Sequence, residues 1–219
     1  MQYHPFINFI VEQGVPLPTV ALLLMLPIVV TMVAFFRQVV GVKAFGIYTP
    51  SIITFALLAF DPNGIKYGIA IFVSVIVVGT LSRILMKKFR LLYLPRVAMT
   101  VSIVSLAILG VLLIGGMYRR TGLASVSIFP LLIMITLAEK FIATQIEKGS
   151  RIALILAIET LVISVVGYYL VSWNSLIALV LHYPWIILFT FVINFSLGKW
   201  TGLRLTELLR FRKIIRHLQ

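Results

Sequence analysis

Apolar runs of about twenty residues recur along this chain, and nothing constrains its fold more. A helix needs roughly 20 consecutive apolar residues to cross the ~30 Å hydrocarbon core of a bilayer. Read in order, the runs lie at 18–36, 45–60, 65–86, 97–117, 125–143, 151–171 and 176–197. Of the 219 residues, 61% are hydrophobic and only 11% charged, far from the balance of a soluble domain. The pattern predicts an all-α integral membrane protein: a seven-transmembrane-helix bundle over 18–198, an extracytoplasmic surface segment at 1–17, and a cytoplasmic basic amphipathic tail helix at 199–219. The first residues lack the charged start and small-residue cleavage site of a signal peptide, so they are expected to stay in the mature protein.

Charge sets the expected orientation. With seven spans, one set of loops holds Lys66, Arg119 and Arg120. The other holds Arg37, Lys43, Arg83, Lys87, Lys88, Arg90, Arg96, Lys140, Lys148 and Arg151, and shares its side with the tail cations Lys199, Arg204, Arg210, Arg212, Lys213 and Arg216. Three of the 19 cations against sixteen is a strong positive-inside asymmetry. It predicts the N-terminus outside and the C-terminus in the cytoplasm. The net charge of +13 is then mostly cytoplasmic, where it attracts anionic lipid head groups. The same face, built from Lys87, Lys88, Arg90, Arg96, Arg204, Arg210, Arg212, Lys213 and Arg216, is a candidate docking surface for an acidic partner. In the tail, Leu205, Leu208, Phe211, Ile215 and Leu218 recur near helical spacing among the cations, which reads as an interfacial anchor.

One stretch departs from a plain span. Between Arg37 and Phe60, Gly41, Gly46 and Pro50 break helical continuity where a span would begin. Broken backbone is tolerated at membrane depth only where protein or a wet cavity satisfies it. Arg37, Gly41, Lys43, Gly46 and Pro50 therefore mark a candidate cytoplasmic mouth of the bundle. Kinks are expected at Pro27 and Pro184.

Few residues could carry chemistry. Glu159 is the one acid deep in a span, a costly position unless it is paired, protonated or wetted. Arg83, which can also snorkel outward, is its expected partner. With Glu139, at the expected cytoplasmic end of the fifth span, these form a candidate intramembrane polar site. The bland reading is a structural pair or a protonated acid joining helices; the sharper one is a proton or cation relay. Glu147 and Arg151 stand four apart in the order that favours a helical ion pair. His182 is expected to pack among aromatics. The chain has no cysteine, and it contains no zinc-protease, nucleophile-elbow or P-loop motif. No enzyme activity, cofactor, metal or nucleic-acid partner is expected.

A faint internal echo sets Phe45-Gly46-Ile47-Tyr48-Thr49-Pro50 against Val126-Ser127-Ile128-Phe129-Pro130. It treats spans one to three and four to six as inverted relatives, an arrangement that places transporter sites between repeats.

Four segments together resemble a known family. They are Phe45-Gly46-Ile47-Tyr48-Thr49-Pro50; Leu91-Leu92-Tyr93-Leu94-Pro95-Arg96-Val97-Ala98; the run from Phe129-Pro130 to Glu139-Lys140; and the run from Gly198-Lys199-Trp200-Thr201-Gly202 to Arg212. They resemble the bacterial seven-transmembrane-helix module usually fused to an inactive transglutaminase-like domain. The sequence is expected to lack that domain, with an extracytoplasmic partner in its place. The Arg37–Pro50 stretch and Ile142-Ala143-Thr144-Gln145-Ile146-Glu147-Lys148-Gly149 are similar to the small membrane subunit of poly-γ-glutamate synthases. Both resemblances imply a non-enzymatic subunit of the bacterial cytoplasmic membrane. It would anchor a cytosolic peptide ligase of the ATP-grasp type and help export an anionic peptide. The alternative is a stand-alone small transporter or channel with an intramembrane Glu relay. A receptor has only the span count in its favour.

Overall fold

A segment in hydrocarbon must satisfy its own backbone, and an α-helix does so within one stretch of chain. A computed structural model, describing residues 4–60, 64–89, 92–117 and 127–199, meets that demand: its elements are helices, and no strand occurs among the described residues. In order they are α1 (Pro5–Glu12), α2 (Leu17–Phe35), α3 (Tyr48–Leu58), α4 (Gly64–Met86), α5 (Tyr93–Met117), α6 (Ile128–Lys148), α7 (Ser150–Val171), α8 (Asn174–His182) and α9 (Ile186–Gly198). Among the described residues, five helical stretches are long and apolar enough to cross a membrane, and α8 with α9 makes a sixth if the bent pair counts as one span.

The chain divides into two compact units, Ala44–Tyr168 and the remainder, Met1–Lys43 with Tyr169–Gln219. These are not the two halves that the inverted-repeat echo requires. The echo does have a local counterpart: Pro50 and Pro130 each fall in the third position of their helices, where the missing N–H costs nothing.

In the Ala44–Tyr168 unit, α6 contributes a buried stripe of Met134, Leu137, Ala138, Phe141 and Ile142. The spacing puts these residues on one helical face. They meet Ile53 and Leu57 of α3, Ile71 and Val75 of α4, and Val104 and Ile108 of α5. Lipid supplies no hydrophobic drive between helices, so close approach depends on small residues. Gly68 serves this end: a Cβ placed there would overlap the Leu57 side chain of α3.

In the other unit, Ile7 of α1 is wholly buried against Val20 of α2 and Leu181 of α8. Asn194 of α9 donates from Nδ2 to Thr31 Oγ1 of α2 at 2.8 Å. Pro27 does not interrupt α2; the irregularity comes after it, where Phe36–Val40 forms a wider π turn that Gly41 ends at φ +90°.

Several expected boundaries move. The second run shrinks to the 11 residues of α3, about 16 Å and half of what a bilayer needs. The kink expected at Pro184 is a break: α8 and α9 diverge by 104°. α6 continues to Lys148, so Glu139 and Lys140 lie more than two turns inside it rather than at its end. Glu147 and Arg151 are not a helical pair, because Gly149, at φ +88° and ψ 160°, separates α6 from α7. The tail helix expected at 199–219 lies outside the described residues apart from Lys199.

Candidate functional site: a stitched break in the membrane

The chain between α2 and α3 contains three residues in the left-handed region: Gly41 at φ +90°, Ala44 at φ +36° and Gly46 at φ +83°. Ala44 is the one non-glycine residue with positive φ among the described residues, and it is buried. The Gly41 and Val42 N–H groups still reach back to the Phe36 carbonyl, at 3.0 and 3.2 Å, but beyond them the chain leaves helical geometry and its N–H groups need partners from elsewhere.

α7 supplies them. The Ala44 N–H donates to Glu159 Oε2 at 3.1 Å, and the Phe45 N–H donates to Thr160 Oγ1 at 3.0 Å. One turn on, Ser164 Oγ lies 3.0 Å from the Pro50 carbonyl, its acceptor in the first turn of α3. Thr54 Oγ1 donates within reach of the same carbonyl at 2.9 Å and of the Ser164 carbonyl at 3.2 Å. Thr54, Thr160 and Ser164 are all fully buried. From α6, Lys140 Nζ donates to Thr49 Oγ1 at 2.8 Å.

Thr160, Ser164 and Gly167 follow a three-to-four-residue spacing and form one small face on α7. Gly167 is required there, since a Cβ would overlap the Thr54 side chain. A hydroxyl stripe of this kind lets two helices approach closely and hydrogen-bond across the gap.

Glu159 joins the broken stretch through Ala44, not through Arg83. Arg83 Nη1 donates to Ser150 Oγ, at the far end of α7, about 13 Å along the helix from Glu159. Glu139 is exposed on α6, while its neighbour Lys140 reaches the site. Of the expected mouth residues, Gly46 and Pro50 belong to the unit that holds the site; Arg37, Gly41 and Lys43 belong to the other. Thr160, Ser164 and Thr54 carry no mark in the sequence beyond the Thr-x-x-x-Ser-x-x-Gly spacing of the first two.

The docking residues are partly placed. Arg83 and the exposed Lys87 and Lys88 stand at the end of α4, and Arg96 in the first turn of α5. The Arg83–Ser150 hydrogen bond brings the α6–α7 junction, with Lys148 and Arg151, to that same end. Arg90, Arg204, Arg210, Arg212, Lys213 and Arg216 lie outside the described residues.

Chemically, the arrangement holds a backbone. No group of three His, Cys, Asp or Glu side chains able to hold a metal ion occurs among the described residues. No curated protein and no solved structure matches the chain. A family model does, over residues 6–215: the chain belongs to the family of seven transmembrane helices usually fused to an inactive transglutaminase.

Proposed function

We propose that the protein is a non-catalytic module of a bacterial cytoplasmic membrane that anchors a cytosolic peptide ligase of the ATP-grasp type and helps an anionic peptide product outward. The observation that carries this reading is the cationic end of the Ala44–Tyr168 unit. Arg83, Lys87, Lys88, Arg96, Lys148 and Arg151 gather there, with Glu147 as the acid among them. A one-signed surface of this kind attracts an acidic partner and concentrates a polyanionic product. The positive-inside asymmetry favours its facing the cytoplasm, with the N-terminus outside.

In-membrane crosslinking of tagged protein, followed by purification and an ATP-dependent ligase assay, tests this. The expected result is a co-purifying ligase whose yield falls about tenfold or more in a Lys87→Glu, Lys88→Glu, Arg151→Glu variant and at high salt. No ligase activity, or a yield indifferent to charge reversal, overturns the proposal.

A relay transporter is the second reading, favoured by an acid half-buried beside a broken helix. It requires proton-coupled flux in liposomes that Glu159→Gln abolishes. Unchanged flux in that variant removes it.

A further inference from the structure

The unit that contains both termini holds a second irregularity, and two cavities adjoin it. α1 is too short to span and carries exposed Phe6 and Phe9 beside the buried anchor Ile7. Its start is fixed to the α8–α9 break. The His4 N–H donates to the Leu181 carbonyl at 3.3 Å, and the His4 ring stands edge-on to Trp185 with centroids 6.3 Å apart. Tyr183 and Trp185 are exposed, as aromatics are at a membrane–water interface.

The first cavity, about 300 Å³, is lined by Phe6, Leu24, Pro184, Trp185, Ile187 and Leu188. The second, about 600 Å³, is lined in part by His4, Asn8, Glu12, His182 and Tyr183. They are neighbours: Pro5 and Tyr183 line the polar one, Phe6 and Pro184 the apolar one. The occupant they fit has an apolar limb joined to a polar head.

The head group follows from the side chains. His4 Nδ1 accepts from the Phe6 N–H at 3.2 Å, so in the neutral ring Nε2 carries the proton and is a donor. With Asn8, His182 and Tyr183 it supplies the kinds of group that bind phosphate oxygens. Glu12 supplies a carboxylate, which repels a purely anionic head and accepts hydrogen bonds from a primary ammonium. A quaternary ammonium has no N–H to give it.

We infer that the cavities flanking α1 at the α8–α9 break bind a zwitterionic phosphoethanolamine lipid, an acyl chain among Phe6, Leu24 and Leu188 and the head group between Glu12 and the histidines.

Native mass spectrometry of the full chain tests this with phosphatidylethanolamine, phosphatidylcholine and phosphatidylglycerol of identical acyl chains. The expected result is retention of the ethanolamine lipid about fivefold over the other two, the size of one exposed charge-assisted contact. Glu12→Gln should bring that ratio to about one with total lipid unchanged. Leu188→Trp should lower binding of all three lipids. Equal retention in the wild-type protein, a preference for the glycerol lipid, or an unchanged ratio in Glu12→Gln overturns the assignment. As a readout that needs no variant, a photoreactive acyl chain should label α1 and residues 184–188; labelling elsewhere overturns it too.

Discussion

At Ala44–Gly46 the chain leaves helical geometry, and the Ala44 and Phe45 N–H groups are taken by a carboxylate and a hydroxyl from α7. At Tyr183–Trp185 it leaves helical geometry again, and the hold there is main-chain to main-chain, His4 N–H to Leu181 carbonyl, with an aromatic edge beside it. The first break is surrounded by fully buried Thr54, Thr160 and Ser164; the second by exposed aromatics and open cavities. Where water can reach, an irregular turn needs little help. Where it cannot, every freed group needs a named partner, and the sequence must commit polar side chains at depth to provide one.

That contrast predicts a descending series of costs. Glu159→Leu should be the largest. It removes the acceptor from a buried N–H and should lower stability by about 2–3 kcal/mol, read by unfolding in mixed micelles. Glu159→Gln keeps an acceptor oxygen and should cost about 1 kcal/mol. If the two cost the same, the charge and not the hydrogen bond is what matters.

Gly167→Ala should come next, at about 2 kcal/mol, because the new methyl group overlaps Thr54. Combining it with Thr54→Ala should cost less than the sum of the two single changes by more than about 0.5 kcal/mol. Strict additivity would mean that α3 and α7 do not touch there.

Gly46→Ala should cost about 1 kcal/mol. Nothing lies within 4 Å of the added Cβ, so the penalty is the φ of +83° alone. Asn194→Leu, in the other unit, should be the smallest at about 0.6 kcal/mol, the average for an interhelical hydrogen bond in a membrane. An Asn194 effect above that of Glu159→Leu would reverse the comparison.

Much of this architecture is legible in the residues. Hydropathy locates the long helices because a bilayer leaves the backbone few alternatives. The Gly41–Pro50 break is legible because glycine and proline act locally. Glu159 is conspicuous because an acid at that depth is expensive. Its partner is not legible. Arg83 is the natural candidate by charge, yet the acceptor serves a main-chain N–H 115 residues away, and backbone amides leave no mark in a sequence. Glu147 and Arg151 mislead for a related reason: their spacing is helical, but Gly149 adopts a backbone conformation that ends one helix and starts the next. The 104° break is only half legible. Pro184 marks the place, and neither the 104° angle nor the His4 N–H that meets the Leu181 carbonyl beside it is encoded in spacing.

If Glu159 holds the broken stretch in place, removing its carboxylate frees the Ala44 amide. Hydrogen–deuterium exchange of the peptide covering Ala44 and Phe45 tests it directly, comparing wild-type protein with Glu159→Leu in the same micelles. Slow exchange is expected at these amides in the wild type and at least about tenfold faster exchange in the variant, with Lys87–Phe89 unchanged. Equal protection in both proteins would contradict it.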